Sequence, residues 1–86
     1  MEYLIAVFKS RTQVMKFYEK LQSCRIPADV VNTPREASLG CGLSVKFSEE
    51  NFGYVKNILR TDYYHSFGGF FKINERGHHK NVKMYK

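Results

Sequence analysis

Tyr3-Leu4-Ile5-Ala6-Val7-Phe8-Lys9-Ser10-Arg11-Thr12-Gln13 is the stretch on which the fold turns. Tyr3 to Phe8 is continuously apolar. It is too short for a membrane span or a leader core, and it suits a central strand covered on both faces. Ser10 stands three residues before Gln13, the spacing at which a hydroxyl caps the first turn of a helix. A helix is therefore predicted from Arg11 or Thr12 to Ser23. Val14, Phe17, Leu21 and Cys24 recur along one stripe of it, with Tyr18 alongside, while Lys16, Glu19, Lys20 and Gln22 face water. On this reading Cys24 belongs to the core. Pro27 stops the helix, because the residue before a proline is pushed out of the α region.

Working outward, Ala28 to Asn32 is a short β-prone run. Thr33-Pro34-Arg35-Glu36 then carries helix-start signals: Thr33 as N-cap, Pro34 at the first helical position, and Glu36 closing a T-x-x-E box. A short helix over Pro34 to Leu39 follows, with Gly40 available to end it in a left-handed conformation. Leu43, Val45 and Phe47 alternate with Ser44, Lys46 and Ser48, the pattern of a half-buried strand. Ser48-Glu49-Glu50 opens a second long helix whose inner face is Phe52, Val55, Ile58 and Leu59, with Gly53 its weak point. Phe67 to Ile73 reads as the last strand.

This order predicts an α+β, ferredoxin-like β-α-β-β-α-β sandwich. Its four-stranded, mostly antiparallel sheet would carry both long helices on one face. Residues 1–74 would form a single domain and residues 75–86 a polar, basic C-terminal tail. The opposite sheet face would stay open, with Phe70 or Phe71 on it. That face, with the aromatic-rich stretch from Tyr63 to Phe71, suggests a homodimer.

Composition narrows the classes of function. At 86 residues the chain has no room for a cleft between domains, and 43% hydrophobic residues argue against disorder. Met1-Glu2-Tyr3 lacks a basic leader, so a cytoplasmic protein without membrane attachment is expected. Cys24 and Cys41 form no Cys-x-x-Cys, which leaves two free thiols in a reducing cytosol and no zinc knuckle. His78 and His79 are adjacent and His65 is remote, so no metal site is expected. No serine-histidine-acid set or phosphate-cradling glycine loop can be placed, and neither a cofactor nor turnover catalysis is expected. The balance of 14 Lys+Arg against 8 Asp+Glu, net +6, favours RNA or an acidic protein as partner, against the simpler reading that the charge only keeps a small protein soluble.

The most chemically loaded position is Cys41, in Gly40-Cys41-Gly42. The two glycines remove neighbouring side chains from the thiol and free the backbone to turn N–H groups toward an anion. A thiolate or persulfide is such an anion, and the thiolate is the nucleophile. The C-terminus of a preceding helix would oppose that charge. Support would have to come from loop amides or from Arg35 or Lys46. The competing reading is a small buried hydrophobe at a strand start.

Thr33-Pro34-Arg35-Glu36-Ala37-Ser38-Leu39-Gly40-Cys41-Gly42-Leu43 resembles the central motif of the selenium/sulfur carrier-like family of short prokaryotic proteins. Chain length, the apolar first strand and the Phe-rich second helix extend the resemblance over most of residues 1–75. It implies a carrier, not a turnover enzyme, in which Cys41 holds sulfur or selenium as a persulfide or selenosulfide. Its partners would be a cysteine desulfurase or other donor, and an acceptor protein. In that reading Gly40 and Gly42 shape the loop, Arg35 and Lys46 support charge, and Thr33, Pro34 and Glu36 fix the short helix. Sulfur-relay proteins with a proline after the cysteine, and carriers ending in Gly-Gly, are not matched. The alternative is a non-catalytic binding module that uses the basic surface or the open sheet face for RNA or protein.

Overall fold

β1 (Glu2–Phe8) runs through the middle of a five-stranded sheet in the computed structural model, which describes residues 1–85. After it come α1 (Arg11–Ser23), β2 (Ala28–Asn32), a single 3₁₀ turn (Arg35–Ala37), β3 (Leu43–Phe47), a second 3₁₀ turn (Glu49–Asn51), α2 (Phe52–Arg60), β4 (Phe67–Arg76) and β5 (His79–Tyr85). The sheet order is β2-β3-β1-β4-β5, and every neighbouring pair is antiparallel. α1 thus joins β1 to β2 with β3 between them, and α2 joins β3 to β4 with β1 between them.

Local chemistry accounts for the first helix. Ser10 accepts at Oγ from the Gln13 N–H at 3.3 Å, as the Ser-x-x-Gln spacing predicts. Val14, Phe17 and Leu21 then bury completely against Leu4, Ala6 and Phe8 of β1. Each large apolar side chain buried in this way stabilises by about 1.5–3 kcal/mol. The helix closes with a double hydrogen bond, Arg25 N–H to the Gln22 carbonyl and Ile26 N–H to the Leu21 carbonyl, with Arg25 at φ 61°. Val55 of α2 joins the same cluster, so both helices pack on one face of the sheet.

Several expectations need correction. The sheet has five strands and not four, because residues 79–85 form a strand on the outer edge of β4 where a tail was expected. Glu75 and Arg76 belong to β4 itself. The tail's Lys86 lies outside the described residues. Cys24 is exposed, not core: α1 ends at Ser23, and Cys24 is its cap at φ −90°, ψ 5°, turned off the stripe. The short helix is one 3₁₀ turn without a side-chain cap, so Thr33 does not serve as its N-cap.

The far sheet face is also less open than expected. Ile5, Val7 and Ile73 on it are fully buried, and Ala37 from the 3₁₀ turn packs against them. Phe70 faces the helices, where Phe47, Phe52 and Phe67 meet it edge-on. Phe71 is half-buried on the far side. A run of rings through Phe17, Phe8, Tyr64 and Phe67 absorbs much of the aromatic richness in one core.

Candidate functional site

Residues 33–42 form a loop closed at its neck. The Thr33 N–H donates to the Gly42 carbonyl at 2.8 Å, and the Thr33 hydroxyl is hydrogen-bonded to the fully buried Ser44 hydroxyl. Such a compact loop with joined ends is held by its own side chains. From the neck the chain dips beneath the far face, where Ala37 is buried. Leu39 then crosses Gly68 so closely that a Cβ there would lie 1.8 Å from Leu39 Cδ1. The loop returns around the end of β1 to Cys41, whose side chain packs against the helix-side core.

Gly40 and Gly42 permit this path. Their φ angles are 129° and 77°, a region L side chains rarely adopt, and a Cβ at either position would meet nothing within 4 Å. Their requirement is therefore one of backbone conformation and not of space.

The Cys41 sulfur is half-buried at the C-terminal end of β1. Sγ lies 3.2 Å from the Phe8 carbonyl and 3.4 Å from the Leu43 carbonyl, and it accepts from the Leu43 N–H at 3.5 Å. The S–H can donate to one carbonyl at a time. A sulfur acting as a nucleophile would have to swing away from both oxygens and keep the amide, a movement for which the flanking glycines leave room.

The predicted supporting residues divide. Thr33 closes the neck, and Pro34 precedes the 3₁₀ turn. Arg35 and Glu36 are exposed on that turn and make no salt bridge among the described residues. Lys46 is not brought to the sulfur. It pairs with Ile5 on the far face, about 10 Å along β3 from Leu43 at the usual rise, and its ammonium sits 4.3 Å from the Tyr3 ring centroid. Cys24 lies at the other end of α1, in a shallow depression of about 400 Å³ shared with Arg25, Pro27, Tyr54 and Asn57.

Sequence reasoning missed the Phe8 carbonyl and the Leu39–Gly68 crossing, neither of which has a local signature. It also missed Ser44, which reads as a solvent-facing polar residue until Thr33 is seen to pair with it.

A family model described as "Putative Se/S carrier protein-like" matches residues 3–66, about three quarters of the chain. The chain belongs to that family. The Se/S carrier-like match takes in the whole neck-closed loop and Cys41. It stops one residue before β4, so β4 and β5 lie beyond it. No curated protein and no solved structure matches this chain. No helix among the described residues is long and apolar enough to cross a membrane.

Proposed function

We propose that this Se/S carrier-like protein holds one sulfur or selenium atom on Cys41 and passes it to a partner protein. The supporting observation is a half-buried thiol between two positive-φ glycines, at the neck of a loop that lies wholly within the matched family segment. The sandwich that presents this loop is read as ferredoxin-like, with β5 added beside β4.

Loading needs no external oxidant. The Cys41 thiolate attacks the terminal sulfur of a donor persulfide. A new S–S bond forms on Cys41, the donor's S–S bond breaks, and the donor cysteine leaves as a thiolate. Delivery repeats the exchange with an acceptor thiolate, and a selenium atom moves in the same way. The acidity of the leaving thiol and access to the attacked sulfur control such exchanges. The Leu43 N–H is the donor placed to steady the sulfur, and exposed Arg35 is the cation free to meet an anionic partner group. Lys46 has no part in this reading.

Intact mass after incubation with a cysteine desulfurase and cysteine tests it. Wild type and Cys24→Ser should gain one sulfur atom, and Cys41→Ser should gain none. Because Cys24 is exposed, peptide mapping must locate the adduct. An adduct confined to Cys24, or none on the wild type, overturns the proposal.

A further inference from the structure

The net charge is unevenly distributed. Residues 67–85 hold four of the fourteen Lys and Arg residues but one of the eight acids, so they account for +3 of the +6. The fold sets this surplus on an antiparallel ribbon. Leu4 and Ala6 face the helices, and register places Phe70, Lys72 and Asn74 on that same side. Across the ribbon these pair with Tyr85, Lys83 and Asn81, and Arg76 pairs with His79. One face therefore carries Lys72 opposite Lys83, Asn74 opposite Asn81, and Arg76 opposite His79. A shallow depression of about 430 Å³ opens over Asn74, Arg76, His79, Lys80 and Asn81, and a second of about 240 Å³ over Lys72, Asn74, Asn81 and Lys83, with Glu2 at its edge.

Like charges placed directly opposite each other destabilise an antiparallel pair. Lys72 is compensated by Glu2 at 3.4 Å and Glu49 at 3.1 Å, and on the reverse face Lys80 pairs with Glu75 at 3.3 Å. Arg76 and Lys83 have no such partner among the described residues, and both are exposed. Lysines on β5 alone would be explained as protection of an open sheet edge. Arg76 on β4 and the Lys72–Lys83 pair are not.

We propose that this ribbon face binds the backbone of single-stranded nucleic acid. Lys72 and Arg76 stand four residues apart on β4, about 13 Å along the ladder, with Lys83 directly across from Lys72, so the cations reach phosphates at both ends of a short single-stranded segment. Between them Asn74 donates to Glu2 Oε2 at 3.0 Å, and the exposed Asn81 amide can both donate and accept, which suits sugar and base edges. The face is only two strands wide and is bordered by Glu2 and Glu49. Those carboxylates would repel the second strand of a duplex and any acidic peptide broader than the ladder. The proposal is independent of the role of Cys41.

Fluorescence anisotropy with a labelled oligouridylate of about twelve nucleotides tests it on the full chain. Between about 50 and 200 mM salt, log K should fall linearly with log salt. Arg76→Gln with Lys83→Gln should weaken binding about tenfold and flatten that slope by about 1.4, since each single-strand phosphate contact contributes roughly 0.7. Lys20→Gln with Lys56→Gln, which removes the same charge from the helices, should change affinity less than twofold. Equal losses in the two double variants would reduce the effect to bulk charge and overturn the proposal. Tighter binding of a duplex, or equal binding of polyglutamate, would overturn it as well. So would a ribbon variant that self-associates on size exclusion with RNA affinity intact, because the cations would then be edge protection.

Discussion

Gly40→Ala isolates what the loop geometry contributes. At φ 129° an L residue is strained, and since no atom lies within 4 Å of the added Cβ, the penalty is purely conformational. Such positions cost about 1–3 kcal/mol, and alanine recovers about 0.4–1 kcal/mol by restricting the unfolded chain. The net loss is then about 0–2.6 kcal/mol with a middle value of about 1.3, or several degrees in Tm at roughly 4–8 °C per kcal/mol for a domain of this size. Part of it would be relieved by rotating the loop, which moves the sulfur from the Phe8 carbonyl. Thiol–disulfide exchange at Cys41 should therefore quicken in a Cys24→Ser background. Urea titration reads the first effect, and reaction with a chromogenic disulfide reads the second. A semisynthetic chain with D-alanine at position 40, for which positive φ is natural, should restore both. If L-alanine is neutral in stability and leaves the thiol's reaction rate unchanged, or if D-alanine fails to rescue, the backbone account of this glycine is wrong.

Tyr64→Phe should raise stability by about 1 kcal/mol in thermal melts, because the buried Tyr64 hydroxyl has no hydrogen-bond partner among the described residues and an unsatisfied polar group costs about 1–3 kcal/mol. Burial, and then Asp62, push that phenol above 10, so the wild type should lose stability as pH rises past 10 and the variant should lose less. Arg25→Gly should stabilise by up to about 1 kcal/mol in urea, since a side chain at φ 61° costs about 1–2 kcal/mol and glycine returns part of that gain to the unfolded chain. The Tyr85 hydroxyl, and then the Lys72 ammonium, hold the half-exposed Glu49 carboxyl below 4.5. Its contribution is present above 4.5 and is lost as pH falls through the lowered value. Glu49→Gln should accordingly flatten the acid limb of the urea midpoint.

The elements that were legible in the sequence are those whose own residues carry the signal. Tyr3 to Phe8, the Ser10 cap and the Val14/Phe17/Leu21 stripe placed β1 and α1 closely, and the alternation of Leu43, Val45 and Phe47 placed β3. β5 escaped notice because an edge strand needs only half a face: Val82 and Tyr85 pack, while Lys80, Lys83 and the histidines read as tail. Cys24 was misplaced because periodicity continues on paper past the residue where the helix stops. At the site, the two glycines and the cysteine between them were readable as a unit. The partners that fix them were not, since Phe8, Ser44 and Gly68 reach the loop only through the sheet.

The two thiols sit at opposite ends of α1, whose thirteen residues span about 20 Å, whereas a disulfide requires Cα atoms within about 7 Å. In the proposed carrier role one molecule could therefore not discharge a loaded atom by closing an internal ring, and a Cys24–Cys41 disulfide is out of reach of this fold. An atom loaded in that role would leave only to a second molecule. Oxidative stress would show itself as chains linked to one another through Cys24, visible as a ladder on a non-reducing gel.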